Sequence, residues 1–269
     1  FITDTARFAD YVFPATTALE NWDLLDSYGT PYLNINEPAI EPLGQAKTNT
    51  EFFRLLSKEM GFTETYLYHS DLDIVKGLLD SDKPYLKGIT FESLRKTGWA
   101  KMNIPEKWLP HAEGNFGKKD GKCLFYNAEI IPSLPDYIPF AYSDKERSQF
   151  PLLLLTIKST KNFLNSTRAN HETHTQKEGK PFLDMNEADA SARNLSDGDD
   201  IKVFNQRGEV LLNVHIKNKV RKGVVCMPQG FWSTLMKGGS SANALTHDVL
   251  TDMGGSAALQ EARVEVVKV

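Results

Sequence analysis

The chain has 269 residues, of which 41% are hydrophobic and 25% charged, with a formal net charge of -4. This is the profile of an ordinary globular protein long enough to bury a proper core, as one large domain or two modest ones. The slight acidity, and the absence of any long basic run among 31 Lys and Arg, give no support to a nucleic-acid partner. The only long apolar run, residues 150–157, is far too short to span a bilayer, so membrane association would need a partner subunit.

In chain order, residues 1–62 read as strand, extended loop and helix. Tyr11-Val12-Phe13 is a short apolar strand ended by Pro14, Glu37-Pro38 and Glu41-Pro42 fix an extended path, and residues 51–61 form the helix. Leu72, Val75, Leu78 and Leu79 have helical spacing over residues 71–80, and Phe91, Leu94 and Arg95 continue a second short helix up to Gly98. Residues 104–119 are irregular, and Pro132, Pro135 and Pro139 make a stiff connector. No internal repeat or low-complexity tract is present.

From about Phe150 the pattern changes to that of a small barrel. Glu187 to Leu195 has good helix formers behind an Asn186 cap, and Asp197-Gly198-Asp199 returns the chain to strand. Ile201 and Val203 share one face of an alternating run; the turn Asn205-Gln206-Arg207-Gly208 follows, and Leu212, Val214 and Ile216 alternate on the way back. Arg221-Lys222-Gly223 then turns into Val224-Val225-Cys226-Met227, an apolar run suited to a fully buried strand. Short helix, hairpin, turn and buried strand together predict a compact, interlocked β-barrel.

The same stretch, running into Gln229-Gly230-Phe231-Trp232, resembles the C-terminal domain of molybdopterin oxidoreductases of the dimethyl sulfoxide reductase family. In that family the domain is a six-stranded double-psi β-barrel that closes over two molybdopterin guanine dinucleotides. Residues 155–170, with Phe163-Leu-Asn-Ser-Thr167, resemble its first strand and pterin loop; Asn243-Ala-Leu-Thr246 and Asp252-Met-Gly-Gly255 resemble its late pterin and nucleotide loop. At the amino end, Thr5-Ala6-Arg7-Phe8-Ala9-Asp10 through Pro14 to Leu19-Glu20, then Glu41-Pro-Leu-Gly44, is similar to the segment that closes the family's preceding α/β domain. Gly121-Lys122-Cys123-Leu124-Phe125-Tyr126 resembles the strand leading into the last domain, although Leu124 stands where an acidic residue is common.

The resemblance implies a mixed α/β and β fold: the tail of a doubly wound α/β domain over residues 1–62, a helical and irregular connector over 63–149, and the double-psi barrel over 150–269. It implies a cofactor of molybdopterin guanine dinucleotide with molybdenum or tungsten. In this family the iron-sulfur cysteines, the first pterin-binding half and the metal-ligating residue all lie upstream. The chain is therefore expected to be the C-terminal fragment of a longer oxidoreductase, inactive alone, with no catalytic or metal-ligating residue of its own. Its expected partners are the remaining N-terminal part of the same chain and an electron-transfer subunit. Two alternatives stay open: a non-redox hydratase or transferase on the same scaffold, and a stand-alone barrel used as a binding module without molybdenum.

On that resemblance, Thr156, Lys158, Ser159, Asn165, Ser166, Thr167, Asn186, Asp189, Gln229, Phe231, Trp232, Asn243 and Thr246 are the expected cofactor contacts. Small hydroxyls and amides suit the donor-acceptor edge of a pterin, Lys158 or Arg168 suits a phosphate, and the Asp189 carboxylate suits the guanine N–H groups. Residues 156–168 read equally as a polar loop that caps its own backbone, Asn186 and Asp189 as a helix cap with an acidic first turn, and the aromatics as core. His247 and Asp248 are expected to face solvent. His171 and His174 share a helix face but lack zincin spacing and a Cys partner, so no metal site is expected. Gly238-Gly239 and Gly254-Gly255 fit neither a P-loop nor a dinucleotide fingerprint and read as loop hinges. Cys123 and Cys226 sit in strand-like runs and are expected to fill core, which points to a reducing, cytoplasmic compartment; an export signal would lie upstream.

Overall fold

A computed structural model describes residues 1–137, 142–159, 162–251 and 254–269. Pro139 of the expected connector and Asp252-Met253 of the expected nucleotide loop lie outside the described residues. The chain forms two compact units, one of residues 9–122 and one of residues 123–269 together with 1–8.

The first unit contains an antiparallel sheet of β1 (Asp23–Asp26), β2 (Tyr32–Asn36) and β3 (Trp99–Lys101), in that order. Helices α1 (Asn49–Glu59), α2 (Asp71–Leu79) and α3 (Phe91–Thr97) complete it. Each has an N-cap hydroxyl, from Thr48, Ser70 and Thr90, that accepts from the amide three residues on and so satisfies one of the orphan donors of the first turn. The predicted spacing holds in α2, which buries Val75 and Leu79, and α3 buries Leu94 completely before Gly98 (φ 80°) stops it. These side chains pack with Leu33, Leu86 and Ile89 as one core.

Two expected strands are absent. Tyr11, Val12 and Phe13 are exposed and unladdered; pairing begins only after them, where the Pro14 carbonyl accepts from the Lys47 amide and Ala15 makes an isolated bridge to Lys47. Residues 121–126 are likewise irregular, with Leu124, Phe125 and Tyr126 exposed, and Cys123 is exposed instead of filling core.

The second unit begins, after the short α4 (Asp144–Gln149), with β4 (Leu152–Lys158). There follow α5 (Glu172–Glu178), β5 (Phe182–Met185), α6 (Glu187–Ser191), β6 (Asp200–Phe204), β7 (Glu209–Ile216), β8 (Val224–Gln229) and β9 (Ala262–Lys268). The six strands close in the order β4-β8-β5-β7-β6-β9. Two pairs, β4 with β8 and β5 with β7, are parallel and the others antiparallel. This is a closed mixed barrel consistent with the expected double-psi topology, and the mixed α/β and β class holds.

Period-two alternation fills the interior: Leu152 and Leu154 from β4, Ile201 and Val203 from β6, Val210, Leu212 and Val214 from β7, Val264 and Val266 from β9 are all buried. The predicted hairpin is present, with Phe204 opposite Glu209 and the turn closed by the Asn205 amide on the Gly208 carbonyl. Leu154→Ala would leave a cavity in this fully enclosed interior and should cost about 2–5 kcal/mol, read as a lowered denaturant midpoint; Ile157→Ala, on the outer face, should cost less.

Candidate cofactor cleft at the barrel mouth

Because β4 and β8 run parallel in register, Lys158 stands opposite Gln229 and both strands end at one rim. Their following loops therefore emerge side by side. With Phe1, Thr3, Asp4, Thr5 and residues 241–243 they line a cleft of about 870 Å³.

The loop after β4 is anchored by Phe163, fully buried and edge-on to Phe231 with ring centroids 4.9 Å apart. Leu164 (φ 48°) and Asn165 (φ 62°) then adopt consecutive left-handed conformations, an unfavourable choice for side-chain-bearing residues that surrounding contacts must hold. The Trp232 indole N–H donates to the Ser166 carbonyl at 3.1 Å, and the Arg168 amide donates to Phe163. Gly230 (φ 108°) passes so close that a Cβ there would collide with the Asn165 carbonyl oxygen. The residue between Gln229 and Phe231 must therefore be glycine.

The amino-end wall is fastened by Asp4. Its carboxylate accepts from the Ser233 amide and hydroxyl, the latter at 2.7 Å, and from the Thr234 hydroxyl at 3.3 Å. Partial desolvation pushes this carboxyl upward, but the hydrogen bonds from Ser233 and Thr234 and the nearby Arg7 charge outweigh it and hold the pKa below the usual carboxylate value. Asn205, buried behind the third wall, donates to the carbonyls of Leu245 and Arg263 and so holds the segment after Asn243.

Of the expected contacts, Asn165, Ser166, Thr167, Gln229, Phe231, Trp232 and Asn243 come together around this cleft. The other six stand elsewhere. Thr156 is buried, donates its hydroxyl to the Leu259 carbonyl and exchanges backbone hydrogen bonds with the Gln260 side chain; Ser159 is buried and donates to Glu178 at 2.6 Å. Lys158 is exposed at the rim. Asn186 caps α6 through the Ala188 amide and donates to Val220, while the Asp189 carboxylate accepts from the Gly223 amide at 2.7 Å. Thr246 bonds back to the Asn243 carbonyl. His247, expected in solvent, is half-buried and shares a 3.1 Å hydrogen bond with Tyr142. His171 and His174 rings lie 5.1 Å apart, and among the described residues no cluster of His, Cys, Asp or Glu is placed to hold a metal. No described helix is long and apolar enough to cross a membrane. Sequence reasoning missed Thr3, Asp4 and Thr5 as cleft wall and Gly230 as its obligatory glycine. Only the glycine carried a local signal.

The cleft lining carries side-chain amides and hydroxyls, one indole, the Asp4 carboxylate and an apolar floor that includes Met227 and Met236, and among the described residues lining it there is no Lys or Arg side chain. Such a surface on a closed mixed barrel offers donors, acceptors and an aromatic face to a ligand. Residues 152–263 match the model of the molydopterin dinucleotide binding domain. The chain is 38% identical over its whole length to the "Probable oxidoreductase YoaE" of Bacillus subtilis, covering 39% of that protein. It is 26% identical over 86% of its length to the dimethyl sulfoxide reductase DmsA of Escherichia coli, covering 32% of it. Among solved structures, acetylene hydratase from Pelobacter acetylenicus superposes over the whole chain with a TM-score of 0.80 at 21% identity, across 39% of its own length. Residues 152–263 therefore form a molydopterin dinucleotide-binding domain, and the chain corresponds to the C-terminal portion of proteins of the dimethyl sulfoxide reductase family. It spans about two fifths of the first curated relatives it matches.

Gly230→Ala should force the Asn165 loop away and cost on the order of 3 kcal/mol, read as a lowered melting temperature; wild-type stability would refute the close approach. Since the Asp4 pKa is depressed on folding, its latch contributes above the unfolded carboxyl value and is lost as pH falls through the folded one. Hydrogen exchange at the Ser233 amide should be protected at neutral pH and lose that protection in acid, and Asp4→Asn should abolish this pH dependence.

Proposed function

We propose that this chain holds and closes over the molybdopterin guanine dinucleotide of a molybdenum or tungsten oxidoreductase whose iron-sulfur cluster and metal-ligating residue lie in the rest of a longer protein. The cleft carries the reading: its rim has the donor-acceptor character of a pterin edge and belongs to a barrel of the matching domain family. Asn165, Ser166, Thr167, Gln229 and Asn243 would supply hydrogen bonds to the heterocycle, and Trp232 an aromatic face against which it packs. With the Asp4 carboxylate in its wall and no Lys or Arg among its described lining residues, the cleft suits the pterin better than the phosphates, for which exposed Lys158 and Arg168 are the natural cations. When bound, the cofactor supplies two-electron chemistry; these residues bind it, orient it and exclude water from it.

The rest of the longer protein is the natural cover for an apolar face on the first unit. There Phe13 and Phe52 lie with ring centroids 4.9 Å apart beside exposed Phe53 and half-exposed Leu56. Isolated, this chain should bind a hydrophobic dye that the full-length protein does not, and Phe13→Ser with Phe53→Ser should remove that binding. An electron-transfer subunit would serve the same longer protein. Both cysteines are free, which supports a reducing, cytoplasmic placement.

The deciding experiment is metal and nucleotide analysis of the full-length product purified without oxygen. About two guanine nucleotides per molybdenum or tungsten is the expected result, since the family cofactor is a bis-dinucleotide. A folded product with neither would leave the barrel as a binding module. The acetylene hydratase likeness, at 21% identity, speaks to the fold and not to the reaction. Redox assays of the full-length protein separate an oxidoreductase from a non-redox hydratase on the same scaffold.

A further inference from the structure

We propose that Glu178 is a positioning residue for the cofactor: without touching it, Glu178 sets the loop that presents Asn165, Ser166 and Thr167 to the cleft. The proposal rests on that cleft being the cofactor site.

Glu178 is half-buried at the last turn of α5, and both its oxygens are used. Oε1 accepts from the Ser159 hydroxyl at 2.6 Å and Oε2 from the Asn162 side-chain amide at 2.7 Å. These are short, charge-assisted bonds to two residues at the start of the loop after β4. The placement is otherwise unfavourable. A carboxylate at a helix C-terminus opposes the helix dipole, and among the described residues no Lys, Arg or His lies within ion-pair distance of it. Helix stability alone gives no reason for an acidic residue there.

The loop supplies the reason. Leu164 and Asn165 are both left-handed, and such a pair persists only when the chain is held on each side of it. On the downstream side, Trp232 bonds the Ser166 carbonyl and the Ala169 amide donates to the same residue. On the upstream side, Phe163 is buried and Glu178 ties down Ser159 and Asn162. Releasing the upstream side lets the left-handed pair relax, which turns three cleft-lining side chains at once.

The test uses the full-length holoprotein and follows release of guanine nucleotide after dilution, well below the melting temperature. Glu178→Gln replaces one acceptor oxygen with a donor that faces a donor, and release should accelerate roughly tenfold. Amide exchange at Ser166 and Thr167 of the apoprotein should rise alongside it. Glu172→Gln, on the exposed start of the same helix, should leave both readings at wild type. Nucleotide release that is unchanged, or that rises only together with a lower apoprotein melting temperature than the Glu172→Gln control, overturns the proposal. Should Glu178→Gln fail to fold, Ser159→Ala, which removes one of the two bonds, carries the same comparison. Wild-type protein that holds no guanine nucleotide would instead defeat the cofactor reading itself.

Discussion

The parallel pairing of β4 with β8 is the constraint on which the site depends. Antiparallel neighbours would send their exits to opposite ends of the barrel; parallel ones deliver both to the same rim, with Lys158 beside Gln229. The contacts between the two loops follow from that proximity. Phe163 can meet Phe231, the Trp232 indole can reach Ser166, and Gly230 can pass against Asn165 only because two loops distant in sequence start from adjacent strand ends. Closure of the six strands then leaves no edge that could slip and change the register.

The cleft also shows a division between residues that face outward and residues that hold them. Asn165, Gln229 and Asn243 face the cleft, whereas Ser159, Asn205 and Asp189 are buried and bonded within the fold. Buried polar groups left unpaired would cost more than the bonds they make here contribute, so their engagement is the expected outcome of folding. Asp4 is intermediate, since it lines the cleft and also ties the amino-end segment to Ser233 and Thr234. Its carboxylate works as an acceptor for a loop and not as a partner for a ligand cation.

Much of this was legible in the sequence, and the reasons are local. The hairpin of β6 and β7 could be read because alternation of Ile201, Val203, Leu212 and Val214 fixes one buried face irrespective of context. Helices α2 and α3 were marked by apolar spacing, and α3 also by its terminal Gly98, all within one segment. The cofactor loop could be placed by its wording, and Asn165, Ser166, Thr167, Gln229, Trp232 and Asn243 do gather at one cleft. The apolar runs at Tyr11-Phe13 and Leu124-Tyr126 misled because a strand is defined by its neighbour, and an apolar run does not state whether a neighbour is available.

By itself, then, the sequence determined the periodicities, the Asn186 cap, the barrel and the dinucleotide-binding domain that residues 152–263 form. Tertiary structure alone decided which polar residues of the β4 loop face the cleft and which are spent on the fold, because Thr156 and Ser159 differ from Ser166 and Thr167 only in what lies opposite them. It alone brought Asp4 to Ser233 across 229 residues of sequence, a contact no local pattern encodes. Hydrogen-bond donors and acceptors are interchangeable by type, and which partner each finds is settled only when the chain closes.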